Sequence, residues 1–121
     1  MMRRRTLFAA VFAALAAPAW AGISDVEMAR IDRLIQFVET RHDLKFVRNG
    51  SDHSCADAAK FLRKKFESMG EHVNTAQEFI EQIASKSSTS GQLYLIRFAD
   101  GHTEPSGKLL GEELRRMDAA K

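Results

Sequence analysis

Apolar residues recur at spacings of three and four near the start of the chain, where Met28, Ile31, Leu34, Ile35 and Val38 fall on one helical face. Ser24 is placed to cap that helix and Glu27, three residues on, completes a capping box, so the pattern predicts a helix from Ser24 to about Thr40. The period then falls to two. Leu44-Lys45-Phe46-Val47-Arg48 alternates ahead of Asn49-Gly50, which reads as a short strand ending in a turn. A second helix begins at the cap Ser54, with Asp57 three residues later. Its stripe is Cys55, Ala58, Ala59, Leu62, Phe66 and Met69, and Gly70 is expected as the glycine at C′ that ends it. Thr75 and Glu78 repeat the box at a third helix carrying Ala76, Phe79, Ile80, Ile83 and Ala84.

A hydroxyl-rich loop, Ser85-Lys86-Ser87-Ser88-Thr89-Ser90-Gly91, separates this helix from a β-branched and aromatic strand over Leu93 to Phe98. Asp100-Gly101 signals a tight turn. Beyond Pro105, Ser106 is expected to cap a last helix with Leu109, Leu110, Leu114 and Met117 on its apolar side. No repeat or interdomain linker interrupts the series. The fold class is α+β, with about four helices packed around a small two- or three-stranded sheet. An antiparallel sheet is expected, because antiparallel pairs outnumber parallel ones and the chain lacks a repeating βαβ pattern.

The first 21 residues follow different rules. Arg3, Arg4 and Arg5 precede an apolar run from Leu7 to Ala17, and Pro18 and Ala19-Trp20-Ala21 follow, which is the layout of a signal peptide cleaved after Ala21. Spanning a bilayer takes roughly 20 apolar residues, so this shorter run is not expected to persist as an anchor. Arg4-Arg5 resembles a twin-arginine signal, but the preceding region is short and the export route stays open. The domain division is then a signal peptide at 1–21 and a single globular domain at 22–121. No cysteine adjoins the cleavage site to carry a lipid, so a soluble periplasmic protein is expected.

Export changes the charge balance. The 121-residue chain has 18 basic and 16 acidic side chains, but three of the basic ones leave with the signal, and the remainder is slightly acidic. Nucleic acid is therefore excluded as a partner, since phosphate-backbone binding needs a concentrated positive surface. Cys55, the single cysteine, cannot form an internal disulfide; its place on the stripe of helix two makes it a buried thiol. The basic stretch Lys60, Arg63, Lys64, Lys65 is expected on that helix's solvated face. His42, His53, His72 and His102 lie on four separate segments without metal-ligand spacing, so neither a metal nor a cofactor is implied.

Two polar clusters remain as candidates. One is Arg48 to Ser54, between the first strand and helix two, where turn and cap residues also stand before a helix N-terminus suited to an anion. The other is the serine loop at 85–91. Antiparallel pairing of the two strands would bring the clusters together as one site of Arg48, Asn49, Ser51, His53, Ser87, Ser88, Ser90 and Tyr94. A hydrogen-bond network that pins the two loops is the plainer role for such a meeting. Recognised catalytic signatures such as Gly-x-Ser-x-Gly and Ser-x-x-Lys are missing, so no catalytic residue is assigned.

Phe46-Val47-Arg48-Asn49-Gly50-Ser51-x-His53, Leu62-Arg63-x-Lys65, Thr75-Ala76-x-x-Phe79-Ile80 and Ala84-Ser85-x-Ser87-Ser88-x-Ser90-Gly91, with Tyr94-x-Ile96-Arg97, together resemble the YfeK-like family. These are small exported proteins of Gram-negative bacteria, classed as a domain of unknown function. The resemblance covers about residues 25 to 117 and implies an exported location, with no activity to carry over. The expected function is a non-enzymatic periplasmic binding or interaction module, for an envelope protein or a small polar or glycan ligand. The alternatives are a small envelope hydrolase or transferase built on Ser51 or Ser87 with His53, and an inhibitor or immunity protein against an envelope-targeting enzyme.

Overall fold

The computed structural model describes residues 22–120; the expected signal peptide lies outside the described residues. Helix α1 (Asp25–Glu39) leads into a β-hairpin, β1 (Lys45–Arg48) and β2 (Ser51–Ser54), and then α2 (Cys55–Met69) and α3 (Ala76–Gln82). A second hairpin, β3 (Leu95–Arg97) and β4 (Thr103–Pro105), precedes α4 (Ser106–Ala119). The fold is α+β. Its sheet has four strands in the order β2-β1-β3-β4, antiparallel throughout.

The two strands beyond the expected pair are the edges. Asn49 and Gly50 both adopt positive φ, as a type I′ turn requires, and fold Ser51–Ser54 back on β1. Neither edge carries an alternating apolar pattern, because β2 consists of Ser-Asp-His-Ser and β4 of Thr-Glu-Pro. In the middle, Phe46 pairs with Ile96, and both enter the core with Tyr94 and the apolar stripes of all four helices. Val47 points to the opposite face, where the Arg97 guanidinium reaches across β1 to Asp52 at 3.0 Å.

Helix starts follow the sequence at three of four positions. The Ser24, Ser54 and Thr75 hydroxyls each accept from the backbone N–H three residues on. Glu27 does not close its box. Its carboxylate instead accepts from Ala76 N at 2.8 Å and Arg30 at 2.7 Å, while Arg30 also binds Asp118 at 2.6 Å, so one side chain ties α1 to α3 and, through Arg30, to α4. Glu27→Ala should therefore cost about 2 kcal/mol in chemical denaturation, the range for hydrogen bonds to a charged group. A loss within the scatter of surface substitutions would show that this bridge carries no weight.

Two expected termini are corrected. Ser106 does not cap α4: it is the first helical residue, Pro105 holds the cap position without a side-chain bond, and the buried Ser106 hydroxyl has no hydrogen-bond partner among the described residues. Gly70 ends α2 but is the C-cap at φ −92°, not a left-handed C′ residue. Glycine is required there by space, since an added Cβ would lie 2.6 Å from the Phe66 ring.

Candidate functional site

Alternation along β1 puts Arg48 on the same face as Phe46, and its place at the strand end carries it just past the core. There its guanidinium lies over the Phe61 ring, 4.2 Å from the centroid. Phe61 belongs to α2, and one turn further along the same column stands Lys65. Lys65 is not on the solvated face. It is only 6% exposed, and its Nζ donates to the Lys86 carbonyl at 2.8 Å and to Tyr94 Oη at 3.0 Å. Tyr94 is buried against Phe46 and Phe61, with ring centroids at 5.2 and 5.9 Å. The long stem of lysine explains the placement, since it can run along apolar surface and deliver its amine to polar groups at the end.

The serine loop closes the other side. Ser87 Oγ accepts from Thr89 N and Ser90 N, each at 3.3 Å, and shares a hydrogen bond with Thr89 Oγ1 at 3.0 Å. The loop is drawn to the first hairpin by Ser90 Oγ, which donates to Asn49 Oδ1 at 2.6 Å. That bond joins the two polar clusters across the β1–β3 ladder. Between them opens a cleft of about 410 Å³, lined on one side by Arg48, Asn49 and Tyr94, on another by Phe61, Lys64, Lys65, Ser68 and Met69, and on the third by Ser87, Ser88 and Thr89.

Of the sequence-predicted residues, Arg48, Asn49, Ser87, Ser88 and Tyr94 line this cleft, and Ser90 anchors its rim. His53 lines a neighbouring hollow of about 200 Å³ with Phe46, Arg48 and Asp57, so the Arg48–Phe61 stack stands between it and the serine loop. Ser51 is exposed on β2 and lines neither space. Phe61, Lys64, Lys65, Ser68, Met69 and Thr89 are the lining residues absent from the predicted site. A signal was present: Lys65 falls seven residues after Ala58, between Leu62 and Phe66, and so borders the apolar stripe.

The electrostatics of the cleft are one-sided. Its lining contains no Asp or Glu. Burial, and then the nearby Arg48 charge, hold the Lys65 amine below its ordinary pKa, while burial pushes the Tyr94 phenol up against a smaller opposing pull from Arg48. Cys55 lies elsewhere in the core, 4% exposed, with Sγ 3.5 Å from the Leu44 carbonyl and its pKa raised by burial. A nucleophilic thiolate needs the reverse setting.

Among the described residues no group of His, Cys, Asp and Glu could hold a metal ion. His102 instead organises the second hairpin. It stacks on Phe98 at 4.4 Å, and its ring nitrogens meet Asp100 and Glu104, which also accepts from Lys108. The bonds to Asp100 and then Glu104 raise the imidazole pKa. A backbone bond from His102 lowers that of Asp100, and Lys108 leads in lowering that of Glu104. The imidazolium contribution is complete below the ordinary histidine pKa and is lost as pH rises through the raised value. The carboxylate contributions hold above their ordinary pKa values and are lost as pH falls through the depressed ones. The hairpin should thus be firmest at mildly acidic pH. An NMR titration should place the His102 midpoint above that of exposed histidine, and an ordinary midpoint would show that these contacts do not persist in solution.

The chain matches the model of a family described as of unknown function (DUF5329) over residues 25–118. It is 37% identical over 91 residues to the uncharacterized protein YfeK of Salmonella typhimurium strain LT2, an alignment covering 75% of this chain and 76% of that one. No solved structure matches it significantly.

Proposed function

The chain belongs to the DUF5329 family, whose description assigns no activity, and from its own geometry we propose that it is an exported, non-enzymatic binding module taking a small polar ligand in the cleft beside Arg48. The observation that carries this reading is the meeting of the two polar loops at one mouth, through Ser90 and Asn49, over a floor of Phe61, Tyr94 and Met69. A mostly apolar hollow with a few placed polar groups is the usual form of a small-molecule site. Support for binding over hydrolysis comes from Ser87, whose hydroxyl is committed to its own loop, and from His53, which lies in the adjoining hollow.

Export is supported by the Arg3–Arg5, apolar and Ala19-Trp20-Ala21 layout. Mass spectrometry of the natural protein should find Gly22 as the first residue, in the periplasmic fraction; an intact Met1 chain in the cytoplasm would remove this part of the proposal. For binding, the purified protein is titrated with fragments of envelope glycan and peptide while backbone NMR signals are followed. Shifts confined to Arg48, Asn49, Phe61, Ser88 and Tyr94 support the site. Shifts confined to other surfaces, or turnover of a fragment that His53→Ala abolishes, count against it.

A further inference from the structure

Three cations line the larger cleft, whose own lining holds no acid; Asp57 shares the adjoining hollow with Arg48. Arg48 enters from the end of β1, Lys64 and Lys65 from α2; among the described residues none of the three makes an ion pair. An exposed ammonium such as Lys64 is served by water. Lys65 is not, because it is more than nine-tenths buried and both of its partners, the Lys86 carbonyl and Tyr94 Oη, are neutral. Burying a charge with only neutral partners is costly, and Arg48 adds like-charge repulsion.

Four of the residues around the cleft hold hydrogen-bond donors that no group among the described residues uses. An ammonium has three N–H groups, and Lys65 spends two. Tyr94 Oη accepts from Lys65, so its own O–H is left to donate elsewhere. The Arg48 guanidinium lies over the Phe61 ring, and its N–H groups make no hydrogen bond or ion pair among the described residues. Asn49 has its carbonyl committed to Ser90, and its NH₂ is unspent. These four groups belong to four residues that line one hollow, and each of them donates.

A surplus of donors and positive charge selects an anion, and the number of charges selects its valence. One negative charge would neutralise Arg48 or Lys65 and leave the other, whereas two would satisfy the inner pair and cancel the repulsion between them. A polyanion would need a basic track longer than one cleft. We propose that the cleft is the receptor site for a small dianion, a phosphate monoester or a dicarboxylate, held by Arg48 and Lys65 with its apolar body against Phe61 and Met69. The guanidinium edge suits the two-point recognition that both oxyanions offer.

This inference deepens the binding-module reading and rests on it, so the experiment separates the two. The purified protein is titrated calorimetrically with phenyl phosphate, with phthalate, and with neutral phenyl β-glucoside. At least one dianion should bind about tenfold or more tightly than the glucoside, and more weakly as salt is raised. Arg48→Gln should weaken that binding about tenfold or more while leaving the chain folded, because Arg48 lies outside the apolar core and only its contact with the Phe61 ring is lost. Lys65→Met, which keeps the stem and removes the charge, should likewise weaken that binding about tenfold or more; if it fails to fold, the Arg48→Gln result decides. Preference for phenyl phosphate over phthalate identifies a phosphate source, and the reverse a dicarboxylate. Failure of both dianions to bind, or binding indifferent to Arg48→Gln, overturns the inference. Tight binding of the glucoside with cleft shifts would overturn it too, while leaving a binding module in place.

Discussion

Tyr94→Ala should lower the unfolding free energy by about 3–5 kcal/mol, the cost of emptying a large aromatic site in a core. The ring is 1% exposed and packs between Phe46 and Phe61, so both neighbours would face a void. A second loss compounds the first: Lys65 would keep only the Lys86 carbonyl. Tyr94→Phe separates them. It preserves the ring and removes one acceptor, for an expected cost of about 1–2 kcal/mol. In a domain of this size 1 kcal/mol moves the melting temperature by roughly 4–8 °C, so the alanine variant should melt about 15 °C or more below the parent. Equal effects of the two substitutions would mean that the hydroxyl, and not the ring, holds this part of the core together.

Gly70→Ala should be the other costly change, at about 2–3 kcal/mol, the upper part of the range for overpacking. Helix-ending glycines usually matter because they adopt a left-handed conformation, but Gly70 has φ −92° and any residue could follow its backbone. What forbids a side chain is Phe66, whose ring and carbonyl occupy the place of the new Cβ. Phe66 cannot withdraw easily, because its ring packs edge-on against Phe79 at 5.5 Å. Gly50→Ala provides the contrast: φ is +81° and nothing lies within 4 Å, so only the left-handed strain of about 1 kcal/mol applies. Denaturant titration of both variants should rank Gly70→Ala as the more damaging. The opposite ranking would show that the end of α2 relaxes away from Phe66.

What the sequence made legible were the features governed by short-range rules. Ser24, Ser54 and Thr75 announced their helices because a capping hydroxyl and its target N–H are three residues apart. Interior strands showed because one of their faces is buried, as with Phe46 and Ile96. The edges β2 and β4 did not, since strands that end a sheet avoid the apolar alternation by which strands are recognised. The meeting of Asn49 with Ser90 followed from strand direction alone. Lys65 was hidden for a different reason: residue type says charged and solvated, and only the tertiary position of Tyr94 and Lys86 supplies the acceptors that let its amine lie inside. His53 was misplaced because a hairpin turned it onto β2, beside Phe46, where a loop could have brought it to the serines.

The sheet also joins contacts of very different sequence separation. Both hairpins join neighbours in sequence and can close on the microsecond scale, whereas the β1–β3 ladder pairs Lys45 with Arg97 and Val47 with Leu95 across two intervening helices. Closing a loop of that length carries an entropy term of about 3–4 kcal/mol. That central ladder is therefore the natural kinetic bottleneck, with high contact order concentrated in a single seam. The cleft sits on the seam, with Arg48 and Asn49 from one hairpin and Tyr94 from the segment entering the other. A chain in which that ladder is open does not bring these residues together, so an occupant of the cleft would stabilise the closed ladder.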